Sequence, residues 1–467
     1  MTIQENVYLS APVVLQNAMV SVKGLQLLRE RKGGAYAAGR RRIEERNSWS
    51  RQAIQAFQLA QLNRLIRYAG RHVPYYTDLF QAAGLEGQQC RHIEDIRQIP
   101  VLDRRVVKEH PEAFLSRHPR GRMIRLKTTG TTGSPLTVFT DKTARRTNYA
   151  FFDAFLRSVG LRPAARHVVI GGRIICPPST AAPPYWRHSV FQNALLMSAY
   201  HISEGSLADY LAAMRRYDPE YIEGYPSALF TIARLAGAGE QFLPKGALRG
   251  MVTSSETLHR QQRRVIEDFF GVPVYDQYGN AEMCCMVHQC RQGRYHVRSD
   301  YGVLEILDEN NNPAAPGQPG AVICTGFVNY RMPLIRYRIG DRAIWSEEQQ
   351  CPCGLATPIL AEIIGREDDV IVCPDGRTVG RMSPVLKGLP ILEAQYVQQT
   401  MTDLLVRVVP AAEFDSSRDI ERVIMAVQKR LGHEMNIHVA LVRRLETDRG
   451  GKLRNVISQL DTPHRTR

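Results

Sequence analysis

The sequence has no apolar run approaching the ~18 residues that a membrane-spanning helix needs, so a helical membrane protein is excluded and a soluble one expected. Internal repeats and low-complexity segments are absent too, which excludes solenoids and long disordered tails. The opening stretch, MTIQENVYLSAPVVLQNAMVSVKG, lacks the basic start and uninterrupted apolar core of a secretory signal. The cytoplasm is therefore the expected compartment. Cysteine is sparse and odd in number, nine in 467 residues, with several close together. That pattern suits reduced thiols or a metal better than a disulfide framework.

What is present is ordinary for a folded chain, with 44% hydrophobic and 23% charged residues. A length of 467 residues exceeds the usual size of one hydrophobic core, which predicts a large domain plus a smaller one. The net charge of +15 fits a nucleic-acid or membrane partner, or polyanionic small substrates. Arg29, Arg31, Lys32, Arg40, Arg41 and Arg42 concentrate near the start and are expected to form a solvated basic arm.

Leu59, Leu62, Leu65, Ile66 and Ala69 recur at helical spacing, predicting an amphipathic helix stopped at Pro74. From about Arg166, β-rich runs such as HVVIGG and GMVTSSE alternate with helical patterns such as LADYLAAMRRY and HRQQRRVIEDFFG. This alternation predicts α/β architecture. YGVLEILDENNNPAAPGQPGAVICTGF reads as two strands joined by a turn-rich loop. Beyond GRED, Gly365 to Asp368, the pattern becomes a compact α+β unit, so a domain boundary is expected there.

Several segments carry chemistry. TTGTTGSP, Thr128 to Pro135, lies between two expected strands, MIRLK and LTVFT, and offers backbone N–H groups and hydroxyls that can wrap phosphate oxygens. It is not a Walker loop, because the Gly-Lys-Ser/Thr ending is missing. In YDQYGNAE, Tyr278 is an exposed aromatic suited to stacking on a purine, and Glu282 is a hard oxygen ligand of the kind Mg²⁺ takes. RYRIGD places Asp341 after a glycine, where a carboxylate can accept two ribose hydroxyls, and GREDDVIV places Arg366 and Asp368 at the domain junction. RGGKLRNVI puts Lys452 on a glycine-flexible loop. Each alone is more often a surface turn or a solvated charge than a functional group.

In this order, together with EGYPSAL and CPCG, the segments resemble the motif series of the acyl-adenylate-forming, AMP-binding superfamily, and within it the phenylacetate-CoA ligase-like branch with its capsule-biosynthesis, CapK-like relatives. The resemblance runs from about Leu59 to Ile457. It implies a large multi-subdomain N-terminal adenylation domain of sheets and helices, 1–365 with a helical, basic arm over 1–58, and a small, mobile α+β C-terminal domain, 366–467. It further implies ATP and Mg²⁺, with CoA as co-substrate: a carboxylic acid, expected to be aromatic, is activated as acyl-AMP and transferred to CoA. By this resemblance Thr128, Thr129, Gly130, Thr131, Thr132 and Gly133 form the phosphate loop, with Ser134 where lysine is common. Ser255, Glu256, Tyr278, Gly279, Asp341 and Arg366 hold the nucleotide, Glu282 the magnesium. Lys452 is catalytic, and Asp368 is the hinge about which the small domain swings. Tyr225, Tyr185 and Trp186 are candidate walls of the acyl pocket, with core packing as the alternative.

Cys290, His296, Cys351 and Cys353 make a soft-ligand set adequate for tetrahedral Zn²⁺, and the resemblance implies a structural metal there. His288, Cys284 and Cys285 are alternative ligands. The resemblance also admits a homodimer. Transfer to an amine or hydroxyl acceptor is the alternative within the enzyme class. A basic nucleic-acid-binding protein is the alternative from another class, but no motif that reads DNA or RNA is recognisable, so nucleic acid is not an expected partner.

Overall fold

The computed structural model describes residues 3–118, 121–127, 136–177, 179–237, 241–242, 246–366, 371–374, 378–379, 382–386, 388–447 and 453–460. Its backbone is a twelve-stranded sheet with two different halves. In one half the strands His167–Gly171, Ala194–Ser198, Tyr221–Gly224, Gly250–Ser254 and Val274–Gly279 run parallel. The helices Leu207–Tyr217, Pro226–Ala236 and Arg260–Phe270 fall between strands of this half. These are the elements that the alternation of HVVIGG, LADYLAAMRRY, GMVTSSE and HRQQRRVIEDFFG predicts. Buried Val168, Ile170, Ile222, Met251, Leu229, Ile232, Ile266 and Phe270 join in one core between sheet and helices, as expected of parallel strands covered by helices.

The other half is an antiparallel meander through Met286–Gln289, Tyr295–Val297, Ile359–Arg366, Tyr337–Trp345, Pro319–Gly326 and Gly302–Leu307. The last two strands pair as a hairpin around the Asn/Pro/Gly-rich loop, as read from the sequence. Helix Arg51–His72 buries Leu62, Leu65, Ile66 and Ala69 against this half. Pro74 does more than stop that helix: it occupies the first turn of a second one, Pro74–Ala82, where its missing N–H costs nothing.

The expected basic arm is only partly solvated. The helices Val13–Lys32 and Tyr36–Glu45 pack on strand Trp186–Ser189 and helix Lys142–Ser158. Lys32 pairs with buried Asp153 at 2.6 Å, Arg40 pairs with Glu44, and Arg31 lies 4.3 Å from the Tyr149 ring centroid. Arg29, Arg41 and Arg42 remain exposed. Asp153 and Tyr149, the partners of Lys32 and Arg31, are distant in sequence and not revealed locally, whereas Glu44 lies one helical turn from Arg40.

After Arg366 a separate core begins. Ile371, Tyr396, Leu404, Val406, Val423, Val427 and Val456 cluster between a four-stranded sheet, Asn436–Leu441, Asp403–Pro410, Ile391–Gln398 and Val456–Ser458, and helix Ser416–Leu431. Among the described residues no helix is long and apolar enough to cross a membrane.

Candidate active site

Ligands of parallel α/β sheets bind beyond the carboxyl ends of the strands, and there the chain has a cavity of about 510 Å³. Ser254 and Tyr278 bring the ends of two parallel strands to its wall, and Glu223 brings a third. Helix Lys142–Ser158, capped by the Asp141 carboxylate accepting from the Ala144 N–H at 2.9 Å, contributes Asn148, Tyr149 and Phe152 from one face. The antiparallel half adds Asp341 and Arg366, and the C-terminal unit adds Leu453, Arg454 and Asn455.

Ser255, Glu256, Tyr278, Gly279, Glu282, Asp341 and Arg366, scattered over more than a hundred residues of sequence, thus line one space. Asp341 and Arg366 are cross-strand partners, with Arg366 Nε 3.3 Å from Asp341 Oδ1. The Tyr278 hydroxyl donates to Asp341 Oδ2 at 2.7 Å. Burial pushes the Asp341 carboxyl above its ordinary range, opposed by the Arg366 charge and the Tyr278 hydrogen bond. Tyr278 is therefore not the exposed ring expected but a half-buried one. The segment YDQYG is no surface turn, since it continues the strand Val274–Gly279. Gly340 and Gly365, each next to one of the charged partners, have φ of 85° and 104°. Gly365 lies within strand Ile359–Arg366 at a φ that L side chains rarely adopt, so a substitution there is strained. Ser255 is held at φ 74°, a conformation that non-glycine residues adopt at the cost of strain and that clusters at binding sites.

Glu282 is buried and bonded on Oε1 by Arg104 Nη1 at 2.8 Å and by the Tyr337 hydroxyl at 3.2 Å. Sequence reasoning missed both partners. Tyr337 was detectable, because alternation along its strand puts it on the same face as Asp341; Arg104 was not, since 178 residues separate it from Glu282. Glu256 is engaged as well. It accepts from the Ser227 N–H and Oγ–H, each at 3.0 Å, at the start of helix Pro226–Ala236, and from the Leu453 N–H at 2.8 Å. The phosphate loop Thr128–Gly133, the hinge Asp368 and the catalytic candidate Lys452 lie outside the described residues. The strands flanking the loop, Ile124–Lys127 and Thr137–Thr140, pair antiparallel.

Of the acyl-pocket candidates, Tyr225 lines a second cavity of about 420 Å³. Tyr185 is 7% exposed, its ring stacked near His201 and Tyr210 and its hydroxyl donating to the Ala181 carbonyl. Trp186 packs against the same core. Neither lines either of these two cavities, and strand Trp186–Ser189 lies at the far edge of the sheet.

Cys290, His296, Cys351 and Cys353 converge, with their ligand atoms all within 4.8 Å of one another. Cys290 and Cys351 sulfurs are 3.7 Å apart, and Cys353 Sγ is 3.3 Å from His296 Nε2. His296 Nδ1 is 3.1 Å from Thr357 Oγ1. Tetrahedral zinc with Zn–S bonds near 2.3 Å places its sulfurs about 3.8 Å apart, so this donor set fits. The alternative ligands do not join it. His288 stacks near Phe155, and Cys284 and Cys285 pack in the core around helix Arg51–His72. No disulfide joins the described cysteines.

The fold is shared with solved acyl-CoA ligases. A 2-hydroxyisobutyryl-CoA ligase in its postadenylation state superposes with a TM-score of 0.67 at 21% identity, covering 89% of this chain and 91% of that one. The same ligase in its thioesterification state gives 0.54. Within this architecture the chain is a homologue of CapK and of the phenylacetate-CoA ligases. CapK of Staphylococcus aureus is 24% identical over 97% of this chain and 99% of its own. A phenylacetate-coenzyme A ligase of Thermus thermophilus is 26% identical over 69% of this chain and 72% of its own. Residues 371–459 match the CapK C-terminal domain.

Proposed function

We propose that this protein is an AMP-forming acid–CoA ligase, which activates a carboxylic acid as acyl-AMP and transfers the acyl group to CoA. The observation that carries the reading is the convergence of Tyr278, Asp341, Arg366, Glu282 and the Leu453–Asn455 segment on one cavity at the strand ends. The phenylacetate-CoA ligase homologues support the thioester as product.

In the first half-reaction a carboxylate oxygen bonds to the α-phosphorus of ATP, and the bond to the bridging oxygen breaks with pyrophosphate taking the electron pair. Asp341 accepts the ribose hydroxyls, Tyr278 borders the base, and Arg366 pairs with the Asp341 carboxylate across the two strands. The barrier is one of charge and position, so pre-placed cations are the effective groups. Lys452, one residue before the Leu453 that Glu256 anchors, is the cation assigned to the reacting phosphate. Glu282 suits Mg²⁺, which usually takes one or two carboxylates plus substrate phosphates. When bound, that ion would supply charge neutralisation on those phosphates. In the second half-reaction the CoA sulfur attacks the acyl carbon, AMP leaves with the mixed-anhydride oxygen, and the thiol proton goes to solvent. Asp368 is the assigned pivot for removing Lys452 between the steps. The TM-scores against the two states of the 2-hydroxyisobutyryl-CoA ligase support a reading of the present arrangement as the adenylation side of that swing.

Cys290, His296, Cys351 and Cys353 would hold a structural Zn²⁺, pinning the loop after strand Tyr337–Trp345 to strand Tyr295–Val297. Acid-dependent ATP/pyrophosphate exchange, followed by thioester detection with CoA, tests the assignment. Exchange without any thioester would point to an amine or hydroxyl acceptor.

A further inference from the structure

Helix Val13–Lys32 has its polar side turned inward. It lies along strand Trp186–Ser189, an outer edge of the large sheet, whose free backbone groups would otherwise be open to pairing with another chain. The Asn17 side-chain oxygen accepts from the His188 N–H at 2.9 Å. Ser21 serves two groups: its hydroxyl donates to the His188 carbonyl at 3.2 Å and accepts from the Val190 N–H at 3.1 Å. Gln16 accepts from Arg187 Nε, and Gly24 sits so close to Ser189 that a Cβ there would clash with its hydroxyl. The polar and small residues of the helix are thus consumed in covering the sheet edge.

The opposite face is left apolar. Leu15, Ala18, Met19 and Val22 follow one another at helical spacing on the side away from Gln16 and Gly24, and all four are exposed, Leu15 by 55% and Val22 by 65%. Val190, bonded to Ser21 through its N–H, and Phe191 are exposed beside the helix, in the turn after the edge strand. Eight of the fourteen large hydrophobic residues exposed among the described residues belong to helices Ile3–Ser10 and Val13–Lys32 or to that turn. Such a local concentration, unlike hydrophobic residues scattered singly, marks a surface that meets a partner.

Charge selects the occupant. No Asp or Glu occurs from Val13 to Arg29, whereas Lys23 and Arg29 are exposed on the same helix. The charge of exposed Arg216, on helix Leu207–Tyr217, acts on His188 of the edge strand. A second copy would bring an equal set of cations, and a net charge of +15, against this one. The patch also carries aliphatic chains in place of the Trp and Tyr anchors that dominate protein interfaces. An anionic bilayer meets both features, because aliphatic side chains enter the acyl boundary while Lys and Arg stay at the headgroups. We propose that helix Val13–Lys32 docks this protein on the surface of an anionic membrane through Leu15, Met19 and Val22, with Val190 and Phe191 beside them. Among the described residues no helix is long and apolar enough to cross the bilayer, so the attachment made by this helix is to the surface.

The test is co-sedimentation of the whole protein with phosphatidylcholine vesicles and with vesicles that also contain phosphatidylglycerol. Binding is expected on the anionic vesicles, released by added salt because the cations are exposed, and weaker by about tenfold or more on the neutral ones. Leu15→Asp and Val22→Asp should each weaken anionic binding by about tenfold or more, through lost apolar burial and added repulsion. Neither residue lines either cavity, so both variants should keep the wild-type Tm and the wild-type rate of pyrophosphate exchange in lipid-free solution. The wild-type vesicle panel decides even where a variant fails to fold: no binding to anionic vesicles, or equal binding to neutral ones, overturns the proposal. Binding that both folded variants retain in full overturns it as well. Self-association of the wild type that Val22→Asp abolishes would assign the face to a second copy and likewise overturn it. The ligase reading stands or falls separately, on exchange measured without lipid.

Discussion

The Leu453 N–H donates to the Glu256 carboxylate across 2.8 Å, and the same carboxylate accepts from both Ser227 donors at the start of helix Pro226–Ala236. One side chain of the large sheet unit thus anchors the backbone next to Lys452. Charged hydrogen bonds of this kind contribute about 1.5–3 kcal/mol. Glu256→Ala should lower acid-dependent pyrophosphate exchange by about 10- to 100-fold and leave CoA transfer from preformed acyl-AMP little changed. Equal losses in the two assays would show that Glu256 does not act through the Lys452 loop.

Lys452→Ala should separate the half-reactions further, blocking adenylation while sparing transfer, because the cation is assigned to the phosphate and not to the thiol. Rapid-quench measurement of acyl-AMP formation and of thioester formation from supplied acyl-AMP checks this. Loss of both to the same extent contradicts the division of labour.

Asp341→Asn keeps the shape of the Tyr278–Asp341–Arg366 group and removes its charge. It should raise KM for ATP by about tenfold or more, the worth of a charged hydrogen bond, with little effect on KM for the acid. Tyr278→Phe removes only the hydroxyl bonded to Asp341 and should cost less. Steady-state kinetics with each substrate varied in turn decides the matter.

Glu393, on the C-terminal sheet, accepts from Gln262 Nε2 at 3.0 Å, joining that sheet to helix Arg260–Phe270. Burial pushes its carboxyl from an ordinary 4.5 up to about 7, against the Gln262 hydrogen bond and Arg234. A raised carboxyl favours the folded protein fully below its ordinary value. That contribution is lost as pH rises through about 7. Glu393→Gln should flatten the fall in Tm across this window, measured by scanning calorimetry against the wild type. An unchanged slope would place the pH dependence elsewhere.

Protein purified without a histidine tag should carry about one zinc per chain, the stoichiometry of a single four-ligand site. Cys351→Ser should lose the metal and lower Tm. Stoichiometry far below one by elemental analysis rejects the site.

The sequence made legible those features that depend on short-range pattern. Glycines beside a charge, Gly340–Asp341 and Gly365–Arg366, could be read because the glycine and the functional group are adjacent in the chain. The strand–helix alternation from Arg166 could be read because short β-rich runs are followed by segments with apolar residues at helical spacing. Contacts between distant segments were not legible. Nothing near Arg104 signals that it meets Glu282, and nothing in the basic run 29–42 separates Arg31, turned to a cavity, from Arg41, turned to solvent. Tyr185 and Tyr225 look alike in sequence. In the fold one lies in the core and the other on a cavity wall.

The most direct measurement of the central claim is isotope exchange between pyrophosphate and ATP, with acid present or omitted. The account predicts exchange that requires an acid, falls with Asp341→Asn and vanishes with Lys452→Ala. Exchange indifferent to both substitutions, or none with any carboxylic acid, would contradict it.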